Sequence, residues 1–170
     1  MPRTLLALAL AALLPAAALA QDPWNMAKKV AGSGATAQVE KEVNRRLLEE
    51  GRKNQCSFKS GTAELEKGCD KKAKNLARAL IDAKKKLNGA GVQNFKFVVS
   101  GHTDTTGSPE KNKELSAERA QVMVKQLVAQ GVPAGDIESV GMGSEHPLVK
   151  PDDTEKKRAK NRRYEVQVKL

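Results

Sequence analysis

An amphipathic stripe between residues 65 and 87 most strongly limits the folds open to this chain. Seven apolar residues recur there at steps of three or four: Leu65, Cys69, Ala73, Leu76, Leu80, Ala83 and Leu87. This spacing puts them on one face of a helix, and such a face must be buried against another layer. Asn88, Gly89 and Gly91 end the helix. The chain therefore needs a second layer of secondary structure.

Alternating apolar and polar residues predict the strands that form this second layer. The candidates are residues 56–60, 95–100, 137–142 and 162–170. In the last of them Tyr164, Val166 and Val168 share one face, and Arg162 has the same parity at the entry of the strand.

A second helix lies between the strands. Ser108 followed by Pro109 is typical of a helix start, and Gly131 with Pro133 ends the helix near Gln130. Residues 143–160 are charged and predict a loop with one helical turn. The resulting order, β-α-β-α-β-β, predicts an α/β (α+β) sandwich, with one mixed sheet and helices packed on one face.

The first twenty residues have the pattern of a secretory signal peptide. Arg3 precedes the apolar run 5–14, and small residues at positions 18 and 20 form a cleavage site before Gln21. An uncleaved anchor helix is the alternative. Because residue 21 is not cysteine, attachment of a lipid of the lipoprotein type is not expected. Elsewhere in the chain no apolar run reaches the roughly 18 residues that are needed to span a membrane.

Residues 21–53 are predicted to be an arm with a short helix at 35–50, and the compact domain is predicted over 54–170. Val39, Val43 and Leu47 give the helix a narrow apolar face. The helix could dock on the domain or on a partner, but its half-apolar character favours a solvated spacer.

Export makes the two cysteines informative. An oxidising compartment favours a structural disulfide between Cys56 and Cys69. A metal or redox site is the alternative, but the spacing is not Cys-x-x-Cys, and His102 and His146 lie far away in sequence. We expect no metal and no cofactor.

A set of polar residues occupies positions where a pocket would form. Asn112, Ser116 and Arg119 make one helical stripe, which starts near the loop that carries Asp104. With Arg162 at the start of the last strand, these groups can converge at one edge of the sheet. The combination suits a zwitterionic ligand, with Asp104 accepting an ammonium and Arg119 holding a carboxylate. A purely structural Asp104–Arg119 ion pair is the alternative.

Several short motifs over residues 56–168 resemble the OmpA-like C-terminal domain, which is also found in peptidoglycan-associated lipoproteins and flagellar stator proteins. They are Gly101-His102-Thr103-Asp104, Gly107, Asn112, Leu115-Ser116-x-x-Arg119-Ala120, Gly141-x-Gly143-x-x-x-Pro147 and Asn161-Arg162-Arg163. Each motif is weak alone, but together, in order and with matching gaps, they are specific.

This resemblance implies noncatalytic binding of the diaminopimelate in the peptidoglycan stem peptide. The family's recognition aspartate and arginine correspond to Asp104 and Arg119, its supporting asparagine to Asn112, and the arginine of its last motif to Arg162; we add Thr103 to this candidate set. The implied location is the periplasm, in association with the cell wall or the outer membrane. Lys59 departs from the family, many members of which have an aspartate there, and this departure puts ligand preference in question.

Other features of the sequence bear on alternative functions. The net charge of +10 allows a basic interaction subunit for an envelope protein partner or for anionic envelope polymers. Nucleic acid is not expected, because export and five aromatic residues argue against it. Ser100, His102 and Asp104 match the residue types of a hydrolytic triad. Residues i and i+2 of a strand point in parallel, however, whereas a triad must converge, so we expect no enzyme.

Overall fold

The computed structural model describes residues 23–59 and 61–170, with side chains described from residue 34 onwards. Four helices and three strands follow one another along the chain: α1 (Pro23–Lys53), α2 (Cys69–Gly89), β1 (Lys96–His102), α3 (Pro109–Ala129), β2 (Ile137–Gly141), α4 (Glu155–Asn161) and β3 (Arg163–Lys169). The signal peptide predicted for residues 1–20 lies outside this description. None of the described helices is both long enough and apolar enough to cross a bilayer.

The three strands form one mixed sheet in the order β2-β1-β3. Strand β1 runs parallel to β2 and antiparallel to β3. The buried face presents Phe97 and Val99 of β1 beside Tyr164, Val166 and Val168 of β3, and it packs against the apolar stripe of α2. The predicted α+β fold with a mixed sheet is therefore confirmed, as is the buried face of the last strand.

Two predicted elements differ from the observed ones. The strand expected at residues 56–60 is reduced to one antiparallel bridge between Phe58 and Leu65. Leu65 therefore lies before α2, which begins only at Cys69. The single helical turn expected in the loop at residues 143–160 is the longer, seven-residue helix α4, which ends at Asn161 and whose first turn is capped by the side chain of Thr154.

Helix α1 is longer and more firmly packed than the sequence indicated. It continues past Gly51 to Lys53, and Val43 and Leu47 are buried in the core at 3% and 1% exposure. The Asn44 amide bonds both the N–H and the C=O of Val168, at 2.7 and 3.1 Å. The prediction of a solvated spacer is wrong, because this part of α1 covers the otherwise unpaired edge of β3.

Two glycines let α3 approach the sheet closely. Gly101 and Gly141 are partners across β1 and β2. A Cβ on Gly101 would lie 2.1 Å from the carbonyl oxygen of Ser116, and one on Gly141 would lie 2.6 Å from backbone atoms of α3. The backbone contact holds the polar stripe of α3 over the end of the sheet, next to the loop that follows β1.

The predicted disulfide between Cys56 and Cys69 is present, with the two Cα atoms 5.2 Å apart. It ties the segment before the Phe58 bridge to the first turn of α2. The Tyr164 hydroxyl lies beneath this segment, where it accepts a hydrogen bond from the Cys56 N–H at 3.3 Å and donates one to the Asn54 carbonyl at 2.5 Å. The segment that carries Cys56 is therefore held to α2 by the disulfide and to β3 by the Tyr164 hydroxyl.

Candidate functional site

All five residues that the sequence placed at the site line a single cleft of about 960 Å³: Thr103, Asp104, Asn112, Arg119 and Arg162. The cleft opens where the loop after β1, the start of α3 and the end of α4 meet. The convergence expected from spacing therefore occurs, although the roles of these residues in binding remain predictions.

Asp104 is held by Arg162. Its Oδ2 lies 2.8 Å from the Arg162 Nη1, and its Oδ1 accepts a hydrogen bond from the Thr106 N–H at 3.0 Å. Arg162 also pairs with Glu155, and hydrogen bonds to Glu155 and Asp104 raise the pKa of its guanidinium. Arg162 occupies the C-cap of α4, so it comes before β3 and not on the buried face of that strand as expected.

Arg119 does not form the structural ion pair that the sequence left open. Its Nε donates to the Thr62 carbonyl at 2.9 Å, and its guanidinium carbon lies 5.1 Å from the centre of the Phe58 ring. The residue is only 7% exposed. Burial and then the nearby Arg162 lower the pKa of Arg119, while Asp104 raises it.

The charge of Arg119 is therefore desolvated without a matching anion. Within the described residues, no carboxylate forms a salt bridge with it, and its two terminal nitrogens make no hydrogen bond. A buried cation without a partner is costly. A planar guanidinium with two open N–H groups is well suited to bind a carboxylate through both oxygens.

Asn112 and Thr103 complete the wall of the cleft. The Asn112 amide donates to the carbonyls of Asp104 and Thr106, at 3.3 and 3.1 Å, and so fixes the loop that carries the aspartate. The Thr103 hydroxyl is buried and has no hydrogen-bond partner among the described residues.

A second layer of contacts, which the sequence did not reveal, supports the site. The Asp152 carboxylate accepts hydrogen bonds from the N–H and hydroxyl of Thr105, and these bonds lower its pKa to about 2. The fully buried Asn161 bonds Asp152 and the backbone of Leu148 and Val149. Asn161 belongs to a motif noted in the sequence, whereas no spacing or pattern signals Asp152.

Lys59 does not bring a cation into the cleft. It is exposed, pairs with Glu64 and is absent from the residues that line the cleft. The departure at this position therefore leaves the charge of the cleft unchanged.

The residues that resemble a hydrolytic triad do not form one. Ser100 donates to the Glu165 carbonyl at 3.4 Å, and neither ring nitrogen of His102 has a hydrogen-bond partner in the described part of the chain. Ser100 and His102 lie on the face of the sheet opposite the helices, whereas Asp104 lies in the cleft. Among the described residues, no cluster of three or more His, Cys, Asp or Glu side chains could hold a metal ion.

The fold and the cleft define a small α+β domain with a charged cleft at one edge of its sheet, lined by a carboxylate and by an arginine that pairs with no carboxylate of the described residues. Residues 57–162 match the model of the OmpA family. The chain belongs to this family, as the motifs indicated.

Curated relatives agree with this assignment. The chain is 44% identical over 73 residues to the peptidoglycan-binding protein ArfA of Mycobacterium tuberculosis. This match covers 43% of this chain and 22% of that protein. It is 39% identical over 89 residues to the peptidoglycan-associated lipoprotein of Pseudomonas aeruginosa. This match covers 52% of this chain and 51% of that protein. The chain thus spans about half or less of the length of these relatives.

Solved structures show the same fold. The peptidoglycan-associated lipoprotein of Burkholderia pseudomallei superposes with a TM-score of 0.56 at 22% identity, over 68% of this chain and 89% of that one. A periplasmic domain of Helicobacter pylori MotB superposes with a TM-score of 0.57 at 22% identity, over 69% of this chain and 69% of that one.

Proposed function

We propose that this domain binds cell-wall peptidoglycan without catalysis, through the diaminopimelate of the stem peptide. The observation that carries the proposal is the buried Arg119, whose charge lacks a partner among the described residues, in the same cleft as the Asp104 carboxylate. The free end of diaminopimelate has one ammonium and one carboxylate, which complement this pair. Relatives that are named as peptidoglycan-binding or peptidoglycan-associated support the proposal.

Each residue of the candidate site has a separate role in this proposal. Arg119 donates two parallel hydrogen bonds to the ligand carboxylate, and Asp104 accepts from the ammonium. Arg162 orients Asp104 through its ion pair, Asn112 holds the loop, and the Thr103 hydroxyl bonds the ligand. None of these roles involves making or breaking a covalent bond.

Calorimetric titration of residues 21–170 tests the ligand chemistry. We expect a stem peptide with diaminopimelate to bind, and the same peptide with lysine, which lacks the terminal carboxylate, to bind at least about tenfold more weakly. Equal affinity for the two peptides would contradict the placement of a carboxylate on Arg119.

Pulldown on purified sacculi tests the residues. Asp104→Ala and Arg119→Ala should each abolish binding, while Lys59→Ala, whose side chain lies outside the cleft, should bind as the native chain does. Thermal melts of all three variants show whether the fold is retained. Native-like retention on sacculi by folded Asp104→Ala and Arg119→Ala would refute the proposal.

We further propose that residues 1–20 direct export, that residues 54–170 carry the binding site while the packed part of α1 completes their core, and that the protein acts in the periplasm to anchor or organise the envelope. A salt series separates this function from general attraction of a basic protein to anionic polymers. The desolvated site should keep its ligand in moderate salt, whereas polymer binding should be lost because exposed charges are screened.

A further inference from the structure

The cleft extends well beyond the candidate diaminopimelate site. It continues into the gap between the last turn of α1 and helix α4, a region we call the α1–α4 end. The residues that line it are Leu48, Gly51, Arg52, Gln55, Arg158, Ala159 and Lys160. The full volume of about 960 Å³ is at the upper end of the range of roughly 300–1,000 Å³ for sites that enclose whole small ligands. One amino-acid side chain would leave much of this space empty.

The α1–α4 end has an excess of positive charge. The carboxylates of α4 and β3 that line the cleft are already paired, Glu155 with Arg158 and Arg162 and Glu165 with Arg163. Glu66, which precedes α2, also lines the cleft but does not belong to the α1–α4 end. Arg52 and Lys160, by contrast, form no ion pair with any described residue and are exposed to solvent. Two cations beside this part of the cleft are therefore available to an anionic group.

The position of Arg52 is fixed by the packing of α1 on the sheet. The Gln55 amide donates to the carbonyl of Tyr164 at 2.7 Å and to that of Gly51 at 3.1 Å, and its oxygen accepts from the Tyr164 N–H at 3.3 Å. These bonds join the end of α1 to the edge of β3. The backbone at Arg52 is thus held at the wall of the cleft and does not move with a free arm.

We infer that the α1–α4 end binds a second carboxylate of the same stem peptide, through Arg52 and Lys160. This inference rests on the proposed function, since the diaminopimelate end sets the direction of the ligand in the cleft. A stem peptide bears a further carboxylate on the glutamate that precedes diaminopimelate. Because Arg52 and Lys160 are exposed, their pairing with it gives a modest gain in affinity.

Calorimetry with two matched peptides tests this inference. The first probe is the tripeptide alanyl-γ-glutamyl-diaminopimelate, and the second is the same tripeptide with the glutamate α-carboxylate amidated. We expect the native chain to bind the first about fivefold more tightly than the second. In the double variant Arg52→Gln/Lys160→Gln this preference should fall to about one, with the affinity for the amidated peptide unchanged.

The control variant is Arg46→Gln. Arg46 is an exposed arginine of the same helix that does not line the cleft, so this variant should keep the fivefold preference. Equal binding of the two peptides to the native chain, or an unchanged preference in the double variant, would overturn the inference while the proposed function stands. Failure of the native chain to bind either peptide would instead refute the proposed function, and the inference with it.

Discussion

Acid should destabilise this domain through the buried imidazole of His102. His102 is 4% exposed, and neither of its ring nitrogens has a hydrogen-bond partner in the described residues. Burial first, and then the charge of Arg163, lower its pKa from 6.5 to about 4, although Glu165 opposes the shift. The folded chain therefore keeps this imidazole neutral at pH values where the unfolded chain protonates it.

The magnitude follows from the two pKa values. Above pH 6.5 both states are neutral at His102, and the residue adds no pH dependence. Between pH 6.5 and 4 the unfolded state binds more protons, so the free energy of unfolding falls as the pH falls. The loss due to His102 should be about 1 kcal/mol at pH 5.5 and about 2 kcal/mol at pH 5, and it should level off near 3 kcal/mol below pH 4.

Urea unfolding at a series of pH values between 7.5 and 5 measures this effect. The slope of the unfolding free energy against pH should be largely lost in His102→Gln, whatever the absolute stability of that variant. His146→Gln, which replaces an exposed histidine whose effect on the pKa of His102 is smaller than those of Arg163 and Glu165, is the matched control and should keep most of the native slope. A native slope in His102→Gln would refute the assignment of this pH dependence to the buried imidazole.

Three further predictions concern the contacts that support the cleft. A thiol assay under denaturing conditions should find no free cysteine, and reduction of the Cys56–Cys69 bond should lower the unfolding free energy by roughly 3 kcal/mol; two free thiols in the unreduced protein would contradict this. Gly141→Ala should cost about 1–3 kcal/mol in urea melts because backbone atoms of α3 block the new methyl group, whereas Gly135→Ala, with open space around it, should not. Asn44→Ala should cost roughly 1–2 kcal/mol because two bonds to Val168 are lost, and a stability equal to that of Lys41→Ala would show that the edge of β3 does not need this cover.

Periodic and local features of this fold were predictable from the sequence. The apolar stripe of α2, the Ser108 cap with Pro109 at the start of α3, and the buried face of β3 all agree with the structure. Each of these depends on neighbours a few residues apart, and secondary-structure geometry converts such spacing directly into a shared face.

Other elements were not predictable because they depend on distant partners. The apolar face of α1 is narrow, and its burial depends on the open edge of β3, more than a hundred residues away along the chain. Residues 56–60 alternate like a strand, but in the described part of this segment the pairing is limited to the Phe58–Leu65 bridge and the backbone bonds beside it. Periodicity indicates which face is apolar, but it does not show whether another element is available to cover it.

The candidate site likewise has features that the sequence predicts and features that depend on distant partners. The sequence by itself indicated which side chains gather at the end of the sheet, since helical spacing and motif order both point to that edge. Strand parity, by contrast, placed Arg162 on the buried face of β3, whereas it caps α4. Only the tertiary structure decided how their charges are matched: Asp104 pairs with Arg162, and Arg119 lies over Phe58 without an anion among the described residues. Ion pairing depends on distances of a few ångströms between atoms from separate elements, and the packing of α3 and α4 on the sheet sets those distances.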